Sequence, residues 1–527
     1  MIDTKALRQK VLDLAIRGKL VPQDPNDEPA SVLLDRIRAQ KQQMVKDGKL
    51  KAKDIKNDTV IFKDEDNLHY EKFADGSVKC IEDEIPFDLP EGWSWCRVHT
   101  VASVKGGKRI PKGYSVIDMP TNHAYIRVTD MKNQTVLVDD LKYITDDVFS
   151  QISAYTISKD DLYVTIAGTI GSVGEIPDIL DGMNLTENAV KISNISINKK
   201  YLCYVLSSEF VQKQFRYQTH QVTMAKLALE RILDTLIPVS PLKEQKQITE
   251  RIQEANEQIE HLNESTIQIG RLINKAKSKI LDLAIRGQLV PQNPTDEPAS
   301  VLLDRIRAEK EELIKQGKIK RDKKESVIFK GEDNSYYEKI GDTVTCINEE
   351  IPFDLPENWS WCRGFSCFSG MTTKKPDADF FDYIDIDSID NKKHIVTSPK
   401  HLPSNEAPSR ASRGLQYGSV VFSLVRPYLK NIAFINENLT DCIASTGFYV
   451  CNSNGSFFPP FMFYLMLSEY VINGLNEYMK GDNSPSISKE NIETWLYPVP
   501  PFEEQKCIVG KISELLSHIA TIEAGLN

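Results

Sequence analysis

No apolar run in this 527-residue chain approaches the ~18–20 residues needed to cross a bilayer. The opening MIDTKALRQKVLDLAIRGK alternates polar and apolar residues and lacks the unbroken apolar stretch of a secretion signal. Among nine cysteines there is no CxxC and no cluster with histidine at zinc-ligand spacing. An odd number of scattered cysteines reads as nine reduced packing residues of a cytoplasmic protein with no membrane partner. No G-x-x-x-x-G-K-S/T occurs, so nothing cradles a triphosphate. Phe458-Pro459-Pro460-Phe461 and Val499-Pro500-Pro501-Phe502 are similar to an amino-methyltransferase motif, but each opens on a residue with no side-chain acceptor and reads as a structural turn. Gly168, Gly171 and Gly174 lack the helix and downstream acid of a dinucleotide site and read as a hairpin turn. The carboxylates from Asp377 to Asp390 are not followed by the E-x-K of a metal nuclease. What is missing therefore removes the common enzyme classes.

What is present is one long unit written twice. DEPASVLLDRIRA stands at Asp27–Ala39 and, unchanged, at Asp296–Ala308. LDLAIRG recurs at Leu12–Gly18 and Leu281–Gly287, and EIPFDLPEGWSWCR at Glu84–Arg97 returns at Glu350–Arg363 with Asn358 in place of Gly92. LIPVSPLKEQKQI (Leu236–Ile248) matches LYPVPPFEEQKCI (Leu496–Ile508) more loosely. The stretches between, 98–235 and 364–495, have little in common. A repeat of about 260 residues is too long for a solenoid, whose units run to about 20–50, so this is a duplicated domain. A constant frame around two divergent inserts points to one scaffold presenting two surfaces.

Residues 248–283 carry a heptad stripe: Ile248, Ile252, Ala255, Ile259, Leu262, Thr266, Ile269, Ile273, Ala276, Ile280 and Leu283. That pattern predicts a helical rod of about 50 Å. Ile508, Ile512, Leu515, Ile519 and Ile522 repeat its register at the C-terminus, and Leu7, Val11 and Leu14 supply it at the N-terminus. A lone stripe needs a partner, so the two terminal helices are expected to lie end to end, antiparallel to the central one. Gly18 and Gly287 are expected to stop helices. Ser31 and Ser300 are expected to cap the next ones. Residues 45–60 and 314–326 read as exposed linkers, followed by the β-type runs TVIF and ESVIF. In the inserts, DLYVTIAGTIGSVGEI (161–176) and GSVVFSLVRPYLKNIAFI (418–435) read as strand–turn–strand, and 201–215 and 461–475 as one amphipathic helix each. Trp93, Trp95, Trp359 and Trp361 are kept in both copies and are expected in the core.

The duplicated frame, the LPEGWSWCR and LPENWSWCR blocks, PLKEQKQI and PFEEQKCI, and the LAIRGKLVPQDPNDEPASVLLDRI string together resemble the specificity subunit of Type I restriction–modification systems, HsdS-like, over nearly the whole chain. TIAGTIGSVGEI and FSLVRPYLKNIAFI are similar to that family's core strand–turn–strand. The resemblance implies an α+β chain of two α/β target-recognition domains separated by an antiparallel two-helix coiled-coil spacer with internal pseudo-two-fold duplication. The expected division is a helical region and linker over 1–92, target-recognition domain 1 over 93–240, a central region over 241–358 with a spacer helix over 243–286, target-recognition domain 2 over 359–500, and a C-terminal spacer helix over 501–527. It implies a non-catalytic subunit that reads two unlike halves of a split double-stranded DNA site. It also implies two modification subunits carrying S-adenosylmethionine for adenine methylation, and restriction subunits carrying ATP and Mg2+, with no cofactor on this chain.

A net charge of −10 weighs against nucleic-acid binding. The inserts are near neutral, with 16 Lys+Arg against 15 Asp+Glu over 97–235 and 12 against 14 over 363–495, so DNA contact requires local patches. In the first insert the candidates are Lys105, Lys108 and Arg109 beside two glycines, then Arg127, Thr129 and Asp130 after a short strand, then Thr223 and Lys226. In the second they are Thr373, Lys374 and Lys375 in the matching loop, then Arg426, Tyr428 and Lys430 in VRPYLK, then Ser484, Ser486 and Lys489 before the last helix of the insert. Arginine grips guanine through two acceptors, and tyrosine stacks or meets phosphate. The competing reading is a duplicated coiled-coil adaptor that binds proteins without DNA specificity.

Overall fold

A computed structural model of the chain describes residues 3–52, 55–217, 226–318 and 325–525. The chain divides into two compact units, Met1–Ser265 and Thr266–Asn527. The boundary falls inside one 44-residue helix, Leu242–Ile285, about 66 Å long at 1.5 Å per residue.

In the first unit the helix Thr4–Ile16 runs opposite in direction to the start of that long helix. Arg8 meets Glu260 at 2.6 Å, while Gln23, just past the helix, donates to Glu244 at 3.3 Å. In the second unit the pairing recurs: Lys277 meets Glu523 of the final helix Phe502–Gly525 at 2.8 Å, and Gln292 donates to Glu504 at 2.7 Å. Along the expected stripe Ile248, Ile252, Ile259 and Ile273 are buried, but Leu262 is 50% exposed. Its level lies past Glu260, where the partner helix is within about a turn of its own first residue.

Helix ends follow local chemistry. Gly18 (φ +63°) and Gly287 (φ +68°) adopt the left-handed backbone that ends a helix. Each also has no room for a side chain, since an added Cβ would lie 2.4 Å from Pro90 Cγ or Pro356 Cγ. The next helices, Ala30–Lys46 and Ala299–Lys315, start two residues earlier than the Ser31 and Ser300 caps predicted, with Pro29 and Pro298 at the cap positions. No side chain caps them. Instead the free N–H of Ala30 donates to Gly92 O at 2.8 Å and that of Ala299 to Asn358 O at 2.9 Å.

A three-stranded antiparallel sheet follows in each unit, Val60–Lys63, His69–Lys72 and Val78–Cys80 in the first, Ser326–Lys330, Tyr336–Ile340 and Thr343–Cys346 in the second. The sequence announced only the first strand of each. The last strand of each is wholly exposed, which leaves Cys80 and Cys346 on the surface, as is Cys507. The nine cysteines are free thiols, but these three are not packing residues; an outer strand with no layer over it has no core to fill.

Each insert is closed at its base by a strand pair, Ser94–Arg97 with Leu236–Val239 and Ser360–Arg363 with Leu496–Val499. The first insert holds an antiparallel sheet in the order Val173–Glu175, Leu162–Thr165, Ala189–Ser193, Ser103–Gly106. Beside it lies a mixed sheet containing Ala124–Ile126 parallel to Met183–Leu185. The second insert repeats this plan with Val420–Ser423 between Ile432–Phe434 and Phe448–Cys451, and with Phe380–Ile384 parallel to Ile443–Ser445. Both strand–turn–strand readings therefore hold. The single helices expected over 201–215 and 461–475 are each two, Lys199–Ser207 with Glu209–Tyr217 and Pro459–Leu467 with Glu469–Asn476. Buried Ser208 and Ser468 take extended backbone at the corner, and Ser468 Oγ accepts from Val471 N. A serine there ends one helix and caps the next, a role the apolar spacing conceals.

Trp93, Trp95, Trp359 and Trp361 are buried. Trp93 Nε1 donates to Glu244 at 2.9 Å and Trp359 Nε1 to Glu504 at 3.0 Å. Gln245 accepts from Asn198 N and donates to Ser240 O; Gln505 accepts from Phe458 N and donates to Ser456 O. The Glu-Gln pair shared by KEQK and EEQK thus ties the start of the long helix and of the final helix to the insert and to the segment before it. One apolar core joins Ile16, Leu33, Trp93, Val164, Leu202 and Ile248 in the first unit, and its counterpart joins Ile285, Ala299, Trp359, Phe422, Leu465 and Ile508 in the second.

Candidate nucleic-acid interface

One end of each insert is built from loops held by the same backbone bonds. In the first, Ile166 N donates to Asn188 O (2.8 Å) and Leu227 N to Ile166 O (2.9 Å). In the second, Leu424 N donates to Gly447 O (2.9 Å) and Ile487 N to Leu424 O (2.9 Å). On these matched skeletons the side chains differ.

In the first insert Glu187 organises a basic surface. Gly107 lies against residues 185–186 so closely that an added Cβ would sit 2.1 Å from Thr186 O. That contact brings Arg109 Nε to Glu187 at 2.7 Å while leaving the Arg109 side chain 79% exposed. Burial pushes the Glu187 carboxyl up, but Arg109 and the local hydrogen bonds outweigh it and hold it below its ordinary value. Lys226 Nζ donates to Glu187 O at 3.2 Å, and Lys108 Nζ lies 5.3 Å from the Tyr155 ring centre. Lys105 is exposed on the edge strand leading into this loop. Thr223 lies outside the described residues.

Arg127 and Asp130 have a different task. Asp130 is buried and accepts from both the backbone and the guanidinium of Arg127, closing a capping box around Val128–Asp130. Arg127 also donates to Asp140 O at 2.7 Å. The Asp130 bonds, with Asp140 beside them, hold its guanidinium above its ordinary value. The corresponding turn of the second insert is capped by Asp385 and Ser388, without an arginine. The pair expected to face a ligand is therefore spent on holding a turn; Thr129 alone of the three is exposed.

In the second insert Arg426 and Ser484 line a cleft of about 670 Å3 together with Asp385, Asn391 and Arg410. Arg426 Nη2 donates to Asn483 O at 2.7 Å. Arg426 (φ +49°) and Lys430 (φ +55°) both hold left-handed backbone on either side of Pro427–Leu429. Non-glycine residues rarely adopt that backbone, and where they do it clusters at ligand sites. Tyr428 is exposed between them. Burial pushes the Asp385 carboxyl up, but Lys400 and Ser388 outweigh it and keep it below its ordinary value. Thr373, Lys374 and Lys375 lie on the neighbouring sheet edge, with Thr373 bridged to Arg413 and Lys374 Nζ bonded to Asp441 O. Ser486 pairs through its backbone with Val425 and Lys480. Lys489 opens the helix Lys489–Thr494 and pairs with Glu493 at 3.0 Å, away from the cleft.

Asn391 and Arg410 were not singled out in the sequence, since a lone Asn or Arg in a loop carries no motif. The cap formed by Asp385 and Ser388 could have been found from its position just after an aromatic strand. Among the described residues no three His, Cys, Asp or Glu side chains are placed to hold a metal, and no helix is long and apolar enough to cross a membrane.

Residues 90–271 match the Type I restriction modification DNA specificity domain. The chain is 27% identical to the Type I restriction enzyme EcoAI specificity subunit of Escherichia coli, over 97% of this chain and 89% of that protein. It is 26% identical to the EcoEI specificity subunit of the same organism, over 77% and 70%. A chain from a solved structure on complex assembly and conformational transition of the Type I R-M system shares the fold, with a TM-score of 0.50 at 17% identity over 84% of this chain and 94% of that one. In its duplicated frame and in these matches, the chain is similar to Type I restriction–modification specificity subunits.

Proposed function

We propose that this chain is the non-catalytic DNA-recognition subunit of a Type I restriction–modification complex, with each insert reading one half of an asymmetric bipartite site and the long helix setting the gap. The observation that carries the reading is the pair of loop ends fastened by the same backbone bonds yet bearing unlike side chains: Arg109 and Lys226 on Glu187 in one, Arg426, Arg410 and Asn391 in the other. A scaffold fixed in backbone and free in side chains suits two different base sequences. Modification subunits would bring S-adenosylmethionine and methylate adenine; restriction subunits would bring ATP and Mg2+.

The spacer reading draws support from the antiparallel contacts within each unit, Arg8 with Glu260 and Lys277 with Glu523. In it the first and last helices line the long helix end to end, forming a two-helix coiled coil. Half-sites on one DNA face repeat at about 34–36 Å. A seven-residue insertion at Ser265/Thr266 lengthens the helix by about 10 Å. That distance is about three base pairs, and the selected gap should grow accordingly.

The test is selection of bound duplexes from a random pool by the full chain with its modification partners. Two unlike sequence blocks separated by a fixed, unselected gap are expected. A palindromic or contiguous site would refute the two-reader reading. Recovery of no preferred sequence and no salt dependence would favour the protein-binding adaptor.

A further inference from the structure

The second unit has another cleft, of about 870 Å3, lined by Lys275, Lys277, Lys392, Lys393, His394 and Lys430. Its two carboxylates are already engaged: Glu523 pairs with Lys277 at 2.8 Å, and Glu469 accepts from Ser278 at 2.8 Å. The other four lysines make no ion pair among the described residues, and Lys275, Lys392 and Lys393 are exposed. In a chain of net charge −10, five lysines outnumber Glu469, Glu523 and the nearby Asp390, and the surplus of positive charge points outward to a polyanion.

The lysines stand on a built turn. Asp390 Oδ1 accepts from the backbone N–H of both Lys392 and Lys393, at 2.9 and 3.0 Å. His394 N donates to Asp390 O at 2.7 Å, and Asn391 Nδ2 ties the turn to Leu429 O at 2.9 Å. Asn391 and Leu429 line the Arg426 cleft, while Lys392 and Lys430, their chain neighbours, line this one, so the two clefts share a wall. The first unit has no such feature at the matching hairpin, where Asn133 and Gln134 occupy the turn between Met131–Lys132 and Thr135–Val136. The basic cleft is thus not a requirement of the scaffold.

We propose that this cleft grips the sugar-phosphate backbone of duplex DNA next to the second half-site, on the side facing the long helix. The second insert then anchors DNA through phosphates that the first does not hold. The proposal rests on the DNA-reading function above.

The test compares the full chain with its modification partners, unchanged, as K275Q/K392Q/K393Q, and as K46Q/K49Q/K132Q, which removes equal charge from the first unit. Binding of a duplex carrying the selected site is measured across salt concentration. The triple change in the cleft should flatten the slope of log affinity against log salt by about 0.9 per lost phosphate contact, roughly two to three in all. Base preference at both half-sites should stay the same, and the control variant should keep the original slope. The duplex should also protect Lys392 and Lys393 from acylation. An unchanged slope in the cleft variant overturns the proposal, as does equal protection by inorganic phosphate, which would mark a small-anion site. If the unchanged protein selects no sequence, the reading function falls; the salt slope on non-specific duplex then still decides the cleft.

Discussion

The frames of the two units repeat down to single hydrogen bonds, whereas their loop ends repeat only in backbone. Arg97 donates to Glu71 at 2.7 Å and Glu84 at 2.8 Å; Arg363 donates to Glu338 at 2.9 Å and Glu350 at 2.8 Å. Arg17 lies 4.3 Å over the Phe87 ring and Arg286 lies 4.2 Å over Phe353. At the loop ends, by contrast, an Arg127–Asp130 cap faces an Asp385–Ser388 cap, and the Glu187-centred surface has no counterpart. Burial explains the split. A buried charge tolerates almost no change of partner, so both frames keep theirs. A solvent-facing loop needs only its backbone bonds to hold shape, and its side chains are left to answer to a ligand.

The strongest way to break this comparison is to remove the buried arginines. Arg97→Met strands Glu71, whose side chain is 4% exposed, and should cost about 3–5 kcal/mol. Arg363→Met should cost a similar amount, since Glu338 is 9% exposed. Hydrogen exchange of the strands of each unit reads the two losses separately. A penalty confined to one copy would show that the frames are alike in geometry but not in energy.

Next come the helix stops. Gly18→Ala and Gly287→Ala each force a side chain into left-handed backbone, about 1–2 kcal/mol. The overlap with Pro90 or Pro356 adds roughly 1–3 kcal/mol. Thermal melts of the two variants should shift alike. Recovery of stability when Pro90→Ala is added to Gly18→Ala would assign the larger share to the overlap.

These repeated features are also the ones legible in the sequence. Identical strings in both copies disclosed the helix stops and the core tryptophans, because burial forbids their divergence, while the strand–turn–strand pairs of the unlike inserts showed only as apolar runs broken by a turn. The Glu244-Gln245 and Glu504-Gln505 signature was visible as a string but not as chemistry: its partners, Trp93 and Gln23, lie 151 and 221 residues away in the chain. The loop ends were legible only in part. Arg109 and Lys226 do meet at Glu187, and Arg426 does join Ser484, yet charge alone could not separate an arginine facing solvent from Arg127, which is bound to a buried carboxylate. That distinction depends on a three-residue turn whose cap is written differently in the two copies.

The loop ends supply a sharper comparison. Arg426→Gln should relax base preference in one half-site roughly 5- to 150-fold, the range for loss of a bidentate base contact, and leave the other untouched. Arg109→Gln should do the converse. Selection from a random pool by each variant checks both. Loss of preference in both halves from either change would mean that the inserts do not read independently.

The smallest effect concerns pH and the two buried glutamates. Burial pushes the Glu244 and Glu504 carboxyls above their ordinary value of 4.5; the Trp93 and Trp359 indoles and the Gln23 and Gln292 amides oppose this, while Asp27 and Asp296 add to it. A carboxyl raised in the folded state keeps its proton longer than in the unfolded chain. Below pH 4.5 both states are protonated and these groups add no pH dependence; above it the unfolded chain ionises first, so folding stability falls as pH rises through the raised folded values and then levels off. Glutamine holds the same shape and cannot ionise. The double variant E244Q/E504Q should therefore gain stability relative to the unchanged protein as pH climbs from 4.5. Taking the difference between the two proteins cancels the opposite trend from Glu71 and Glu84, whose carboxyls stay below their ordinary value because Arg97 outweighs their burial. Chemical denaturation at a series of pH values gives that difference. If it stays flat, or if E244Q and E504Q alone move in opposite directions, the two frames do not share the electrostatic setting that their matching hydrogen bonds imply.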